Sequence, residues 1–270
     1  GAAAAARTRI PVVIELDIAW RPIGSRLHLG VRRSPLRSVA DVLAFAERVG
    51  SFRHLEYRGL MGYEAQIAGV QEDGPFWRGW GIRLMKRLSK PGVAAARRQA
   101  VSALTPAGFA SQIVNGGGTG SLAFSASDAA LTEVTAGSGF LAGHLFDGYR
   151  GLTVEPALLF ALQTVRRPAP GIVACHGGGF ISSGEAGESR WPRPWLPEGL
   201  SLLKREGAGE VQTPLKIPRG TEIALGDPIF FRPAKSGELA EHFNEYLLIR
   251  GDRIEARVKT YRGLGRCFLG

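Results

Sequence analysis

The chain has 270 residues, of which 44% are hydrophobic and 21% are charged, so its composition is that of a folded protein and not of a disordered one. Its formal net charge is +10, but the basic residues are scattered and form no stripe with interleaved aromatic residues, which argues against a nucleic-acid partner. No apolar run approaches the roughly 18 residues that a membrane helix needs, so we expect no membrane partner either.

The first half of the chain alternates between predicted strands and helices. Ser38 is a predicted N-cap, and Pro91 a predicted helix break with Ser89 as a second cap. This alternation is typical of parallel α/β structure. The strands are predicted at residues 10–16, 54–61, 109–114 and 131–135, and the helices at 39–49, 77–104 and 121–130.

The second half has a different pattern, in which short apolar runs are separated by glycine and proline turns. Gly251-Asp252, between two such runs, is a hairpin signal. We therefore predict two domains, a strand–helix domain over residues 1–150 and a mostly antiparallel β domain over residues 151–270. The β strands are predicted at 158–165, 172–175, 229–231, 246–249 and 254–258.

Two glycine-rich loops follow successive predicted strands, and they are the most informative local feature. Gly116, Gly117 and Gly118 are consecutive, and the second turn is Gly137-Ser138-Gly139. Glycines let a backbone approach a ligand closely and leave amide hydrogens for an oxyanion. Two such loops on neighbouring parallel strands favour one shared phosphate group.

The number of strands bears on the architecture of the first domain. A closed (β/α)8 barrel needs eight strand–helix units, and four fit before residue 150. Four parallel strands would leave unpaired edges. We therefore expect this chain to be an N-terminally truncated piece, holding the C-terminal half of a barrel.

Four segments, taken together, resemble a known family. They are IELDIAW…LHLGVRRSP, GYEAQIAG, NGGGTGS with TEVTAGSG…LFDGY, and FRPAKSGELAEHFNEY with TYRGLGRCF, and the match as a whole covers the chain from about Ile10 to Phe268. The chain resembles the D-threonine aldolase and D-serine dehydratase group of fold-type III pyridoxal-phosphate enzymes, particularly its amino-acid deaminase/aldolase branch. The resemblance implies an alanine-racemase-like barrel followed by a β domain, and a homodimer. A cytoplasmic, reducing setting is expected separately, because neither of the two cysteines belongs to a paired metal spacing.

The resemblance also implies which residues hold the cofactor, pyridoxal 5′-phosphate. The family binds the cofactor phosphate through two glycine loops. In this sequence the corresponding residues are Gly117, Gly118, Thr119, Gly137 and Ser138. His28 occupies the position that faces the pyridine nitrogen, with Arg26 nearby as an alternative. Tyr63 and Gln66 fall near the ring and the substrate, and Tyr63 could equally be barrel packing.

The sequence departs from the family pattern at two places. None of its six lysines ends an apolar strand in the barrel part, so the Schiff-base lysine is missing and we expect this chain alone to be inactive. The family's metal-binding pair falls on Pro233 and Lys235, which are poor metal ligands, so we expect no metal. Lys235 is instead a candidate catalytic cation, with an ordinary surface lysine as the alternative.

The predicted function is a lyase that acts on a small-molecule substrate, a D-amino acid with a β-hydroxyl group. The reaction is retro-aldol cleavage or deamination. Two alternatives stay open: an amino-acid racemase of the alanine racemase type, and a non-catalytic module that binds pyridoxal phosphate or another phosphorylated ligand. The basic clusters around Arg83 to Lys90 and at Arg97-Arg98 are interpreted as solvated surface.

Overall fold

The computed structural model describes residues 2–266, so Cys267 and Phe268, which end the segment TYRGLGRCF, lie outside the described residues. The helices in this range are α1 (Ala2–Ala5), α2 (Val39–Gly50), α3 (Ala65–Ala68), α4 (Phe76–Leu104), α5 (Leu122–Ala126) and α6 (Gly237–His242). The strands are β1 (Ile10–Glu15), β2 (Leu55–Gly62), β3 (Ile113–Gly116), β4 (Glu133–Val134), β5 (Phe160–Ala169), β6 (Ile172–His176), β7 (Arg193–Leu196), β8 (Ser201–Leu202), β9 (Gln212–Lys216), β10 (Pro228–Arg232), β11 (Glu245–Arg250) and β12 (Arg253–Lys259).

The chain divides into two compact units whose segments interleave. Unit 1 comprises residues 1–137 and 148–152, and unit 2 comprises residues 138–147 and 153–270. The single domain boundary near residue 150 stays a prediction.

Unit 1 is built on a parallel sheet in the order β1-β2-β3-β4. The helices α2 and α4 bury their apolar residues against it, because parallel strands need cover on their faces. All four strands run the same way, so their carboxyl ends share one edge of the sheet. The buried core consists of Ile14, Leu16, Ile18, Val42, Ala46, Val49, Leu60, Ile67, Val93, Ala100 and Leu104.

The start of α2 follows its sequence signal closely. The Ser38 hydroxyl accepts a hydrogen bond from the Asp41 amide, and the Asp41 carboxylate accepts one from the Ser38 amide. This reciprocal capping box satisfies two amides that would otherwise lack partners at the helix start. The backbone hydrogen bonds lower the pKa of Asp41, so the cap is present at neutral pH.

The predicted break in the long helix was wrong, because α4 runs without interruption through Pro91. Ser89 is buried and its hydroxyl donates to the Lys86 carbonyl, so it does not cap a second helix. Buried Ser89 and Val93 flank the exposed proline, and their packing holds the helix together across it. The helix contains seven basic residues and no acidic residue: Arg78, Arg83, Lys86, Arg87, Lys90, Arg97 and Arg98.

Unit 2 is a six-stranded antiparallel sheet in the order β7-β10-β5-β6-β9-β8, which is nearly closed. Phe160 stacks on Phe231 in its core, with ring centroids 5.3 Å apart. The hairpin β11–β12 turns at Gly251-Asp252, as predicted, with Gly251 at a φ of +60°. Three strands, β7, β8 and β9, were not predicted from the sequence.

The predicted fold class is confirmed: an α/β part with parallel strands is followed by a mostly antiparallel β part. Among the described residues, none of the helices combines the length and the apolar character that a membrane-spanning helix requires.

Candidate functional site

The predicted cofactor residues of unit 1 lie at the carboxyl ends of its strands. Tyr63 follows β2, Gly117 to Thr119 follow β3, and Gly137 follows β4. In parallel α/β sheets this edge is where ligands bind. The sheet order thus brings together segments that are separated by more than 70 residues in the sequence.

The glycines after β3 are required by close packing. A Cβ atom on Gly118 would lie 2.8 Å from the Cβ of Ala68 and 3.1 Å from Cε2 of Tyr63. A Cβ on Gly120 would lie 2.2 Å from Cε1 of Tyr149. Gly117 has a φ of +97°, which side-chain-bearing residues rarely adopt. The glycine run therefore sits tightly against α3 and Tyr149, whereas a Cβ on Gly137 would meet open space.

Two of the loop amides are already hydrogen-bonded within the protein. The Gly117 amide donates to Oε2 of Glu64 at 3.1 Å, and the Gly118 amide donates to Oγ of Ser121 at 3.2 Å. Glu64 is fully buried. An oxyanion at this loop would therefore have to use the backbone beyond Gly118, where Thr119 is buried and Gly120 is partly exposed.

Tyr63 packs on the same loop. Its ring is half-buried and lies beneath the Arg33 guanidinium, 5.0 Å from the ring centroid. Burial raises the pKa of the Tyr63 hydroxyl, Arg33 lowers it and Glu64 raises it, with a net increase. Tyr63 is therefore a neutral phenol at physiological pH, which can donate a hydrogen bond.

His28 lies on the long segment after β1. Its Nε2 is 3.3 Å from the Val31 carbonyl oxygen. Since a carbonyl accepts only, a neutral His28 carries its proton on Nε2, and Nδ1 is left as an acceptor. Nδ1 is buried and has no hydrogen-bond partner among residues 2–266. Arg26, the alternative, is exposed.

Gln66 is almost entirely buried and connects α3 to the segment after β1. Its Nε2 donates to the Ile18 carbonyl at 3.0 Å, and its Oε1 lies beside Gly30. Oε1 has no hydrogen-bond partner among the residues that the structure describes. A Cβ on Gly30 would lie 3.1 Å from Oε1. Gln66 thus supports the segment that carries His28.

The other two predicted site residues lie in unit 2, on the wall of one cavity of about 460 Å³. Ser138 accepts a hydrogen bond from the Ser236 hydroxyl at 2.9 Å, and Lys235 donates from Nζ to the Ser183 hydroxyl at 3.4 Å. The complete lining is Ser138, Ser182, Ser183, Lys235, Gly237, Glu238, Glu241 and Tyr261. Hydroxyls, one ammonium and two carboxylates suit a small polar ligand that carries both charges.

Lys235 is only partly exposed. Burial lowers the pKa of its amine, and the nearby positive charge of Arg190 lowers it further. Within residues 2–266, no three His, Cys, Asp or Glu side chains are grouped so that they could hold a metal ion.

Two basic residues interpreted as solvated surface are buried, which corrects that prediction. Lys86 pairs with Glu72, and Arg97 pairs with both Glu64 and Asp128. Each of these residues is less than a tenth exposed. A buried charge needs a paired partner, and these partners come from distant segments, so no local signal in the sequence identified them.

No protein-family model and no curated protein sequence matches the chain. Its fold, however, matches solved structures. A D-threonine aldolase from Filomicrobium marinum superimposes with a TM-score of 0.76 at 19% identity, covering 97% of this chain and 65% of that protein.

Two further structures are similar. A D-threo-3-hydroxyaspartate dehydratase from Delftia sp. HT23 has a TM-score of 0.63 at 19% identity, covering 91% of this chain and 65% of that one. An alanine racemase-like protein from Idiomarina loihiensis has a TM-score of 0.62 at 15% identity, covering 91% and 63%.

The chain therefore has the alanine-racemase-like fold that the sequence resemblance predicted, and this prediction is confirmed. At identities of 19% and below, the likeness establishes the fold alone. The chain spans about 65% of the length of the structures that it matches.

Proposed function

We propose that this chain carries cofactor- and substrate-binding residues of a pyridoxal-phosphate-dependent lyase that acts on D-amino acids bearing a β-hydroxyl group. The reaction is retro-aldol cleavage or deamination. The observation that carries the proposal is the glycine loop after β3, packed against Tyr63 at the carboxyl edge of the parallel sheet. Two of the structures with this fold are a D-threonine aldolase and a D-threo-3-hydroxyaspartate dehydratase.

The residues of unit 1 fit the cofactor. Protein atoms fill the space beside Gly118 and Gly120 and fix the backbone of the turn, and a phosphate would be held by its backbone beyond Gly118. Gly117 would not contact the phosphate through its amide, because that amide donates to Glu64; it would instead hold the turn in place. His28 has a buried acceptor on Nδ1 without a partner among the described residues, which suits an N–H group on a bound ring.

Pyridoxal phosphate, when bound, supplies a conjugated ring that takes up electrons from a bond at the α-carbon of an amino acid. The chain's own residues bind and orient. Tyr63, kept neutral by its raised pKa, is a hydrogen-bond donor and not a base. Lys235 offers a positive charge to a carboxylate or hydroxyl of the substrate, at the position where the family resemblance expects a metal ligand.

The lysines limit what the chain does by itself. Lys86 and Lys90 lie on α4, and the other four lie in unit 2, so none follows a strand of the parallel sheet. A lysine amine is needed to attach the cofactor covalently. We therefore expect this chain alone to bind pyridoxal phosphate without turnover.

The test compares the affinities of pyridoxal phosphate and pyridoxal, which differ by the phosphate group alone. Equilibrium dialysis at physiological ionic strength should give an affinity ratio of at least about tenfold, equivalent to ~1.4 kcal/mol, and inorganic phosphate should compete. Equal affinities, or no competition, would refute the proposed phosphate site.

Lys235 is tested by calorimetric titration with D-threonine. The Lys235→Met variant should bind it more weakly than the wild-type chain. Lys259→Met, which removes an exposed lysine on β12, is the control of equal charge and should bind normally. Equal affinity in both variants would remove Lys235 from the substrate site.

A further inference from the structure

One buried carboxylate holds both ends of the turn proposed to bind phosphate. Oε2 of Glu64 accepts a hydrogen bond from the amide of Gly117, where the turn begins, at 3.1 Å. Oε1 accepts one from the hydroxyl of Ser121, where it ends, at 2.9 Å. Residues 118–120 lie between these two hydrogen bonds, so Glu64 fixes the backbone on both sides of them.

The attachments are themselves fixed. Arg97 donates to Glu64 and also to the carbonyl of Gly62, 3.0 Å away, and Ser125 donates a further hydrogen bond to Oε1. The second nitrogen of the Arg97 guanidinium donates to Asp128 at 3.1 Å. Glu64 is 0% and Arg97 2% exposed, so water does not compete for these bonds.

The cluster contains two carboxylates and one guanidinium. Arg97 neutralises one of the two negative charges, and hydrogen-bond donors stabilise the other. Glu64 accepts from four donors: the Arg97 guanidinium, the Gly117 amide and the hydroxyls of Ser121 and Ser125. One of the four is an amide of the glycine turn itself. The network therefore gives the turn a defined conformation before any ligand arrives.

We propose that Glu64 is a positioning residue, which presets the backbone of residues 118–120 for an oxyanion by anchoring Gly117 and Ser121. A turn that is ordered in advance does not lose conformational entropy on binding, so the gain appears as affinity for the phosphate group. The proposal rests on the proposed function, because it concerns the same phosphate site.

The serines Ser121 and Ser125 provide a matched pair for the test. Both hydroxyls donate to Oε1 of Glu64, but Ser121 also accepts from the Gly118 amide and ends the turn, whereas Ser125 lies on α5. Each alanine variant deletes one hydroxyl, so both are expected to fold. Glu64→Gln removes the charge and replaces one of the two anchoring oxygens by an NH2 group, and Asp128→Asn changes the other carboxylate bound to Arg97 in the same way.

The measurement is the ratio of the affinities for pyridoxal phosphate and pyridoxal in each variant of the 270-residue chain. We expect Ser121→Ala and Glu64→Gln to lower this ratio by about tenfold, while Ser125→Ala and Asp128→Asn keep it near the wild-type value. Hydrogen exchange of the amides of residues 117–121 should be faster in Ser121→Ala than in Ser125→Ala.

Each result decides the matter. An unchanged ratio in Ser121→Ala, or an equal decrease in Ser125→Ala, would overturn the positioning role. A ratio that rises in Glu64→Gln would also overturn it, because the carboxylate would then repel the phosphate more than it orders the turn. If the wild-type chain binds both ligands equally, the proposed function fails instead. If Glu64→Gln does not fold, the serine pair decides.

Discussion

Alanine should destabilise the protein at Gly118 but not at Gly137, although both glycines lie in the predicted phosphate loops. Gly118 has an extended backbone, with a φ of −168°, so the substitution introduces no backbone strain. Its new Cβ would lie 2.8 Å from Ala68 and 3.1 Å from Tyr63. Real Cβ atoms do not approach other atoms so closely, so α3 or the loop must move.

The magnitude follows from overpacking. Forcing a methyl group into a filled site costs about 1–3 kcal/mol, so Gly118→Ala should be destabilised by this amount. At Gly137 a Cβ meets nothing within 4 Å, and its φ is not in the left-handed region. Gly137→Ala should therefore be neutral, or stabilised by up to ~1 kcal/mol through reduced entropy of the unfolded chain.

Urea denaturation measures both variants against the wild-type chain, and the midpoint is the readout. A shared slope would attribute the change to stability. If Gly118→Ala were as stable as Gly137→Ala, the contact of Gly118 with α3 would be wrong, and the tight packing of the glycine turn would be wrong with it.

Two further predictions concern the helix α4 and the core of unit 2. Pro91→Ala should stabilise the chain by ~1–3 kcal/mol in the same denaturation assay, because α4 is continuous there, and an unchanged midpoint would indicate a broken helix. His144 is buried, and burial lowers its pKa from 6.5 to about 4. The unfolded state therefore binds the proton first, so stability is complete above pH 6.5 and falls by about 3 kcal/mol as the pH decreases to about 4. His144→Gln should lose this pH dependence, and an unchanged profile would show that other groups cause it.

The sequence predicted the elements whose signals are local. The N-cap at Ser38 is a signal of a few residues and agrees with the structure. The glycine run also comes at the end of a strand, although β3 spans Ile113–Gly116 and not the predicted residues 109–114. The four parallel strands were predicted because each is an apolar run bounded by turn residues.

What escaped prediction depends on distant partners. The strand β7 contains Pro194 in a stretch that we interpreted as a turn, but β7 pairs on one side only, with β10, and an edge strand tolerates proline. Arg97 could not be distinguished from exposed Arg98 by sequence, because its carboxylate partners are 33 and 31 residues away.

The candidate site was predicted in part. The glycine turn and Tyr63 are adjacent in the structure, as their positions after neighbouring strands suggested. Glu64, which is next to Tyr63 in the sequence, was missed, because its neighbours there do not reveal that it is buried among four donors. The role of each residue toward a cofactor stays a prediction.

The acid-free composition of α4 has a practical consequence for handling the protein. Lys86 and Arg97 are neutralised by buried carboxylates from other segments. The other five basic residues have no acidic residue on the same helix. In dilute buffer these cations attract added phosphates without specificity, which raises the background of a phosphate-binding titration. At about 0.15 M salt the Debye length is ~8 Å, which suppresses this background while leaving contacts at bonding distance intact. Ligand titrations at this salt concentration therefore report the specific site and not the general attraction of the basic helix.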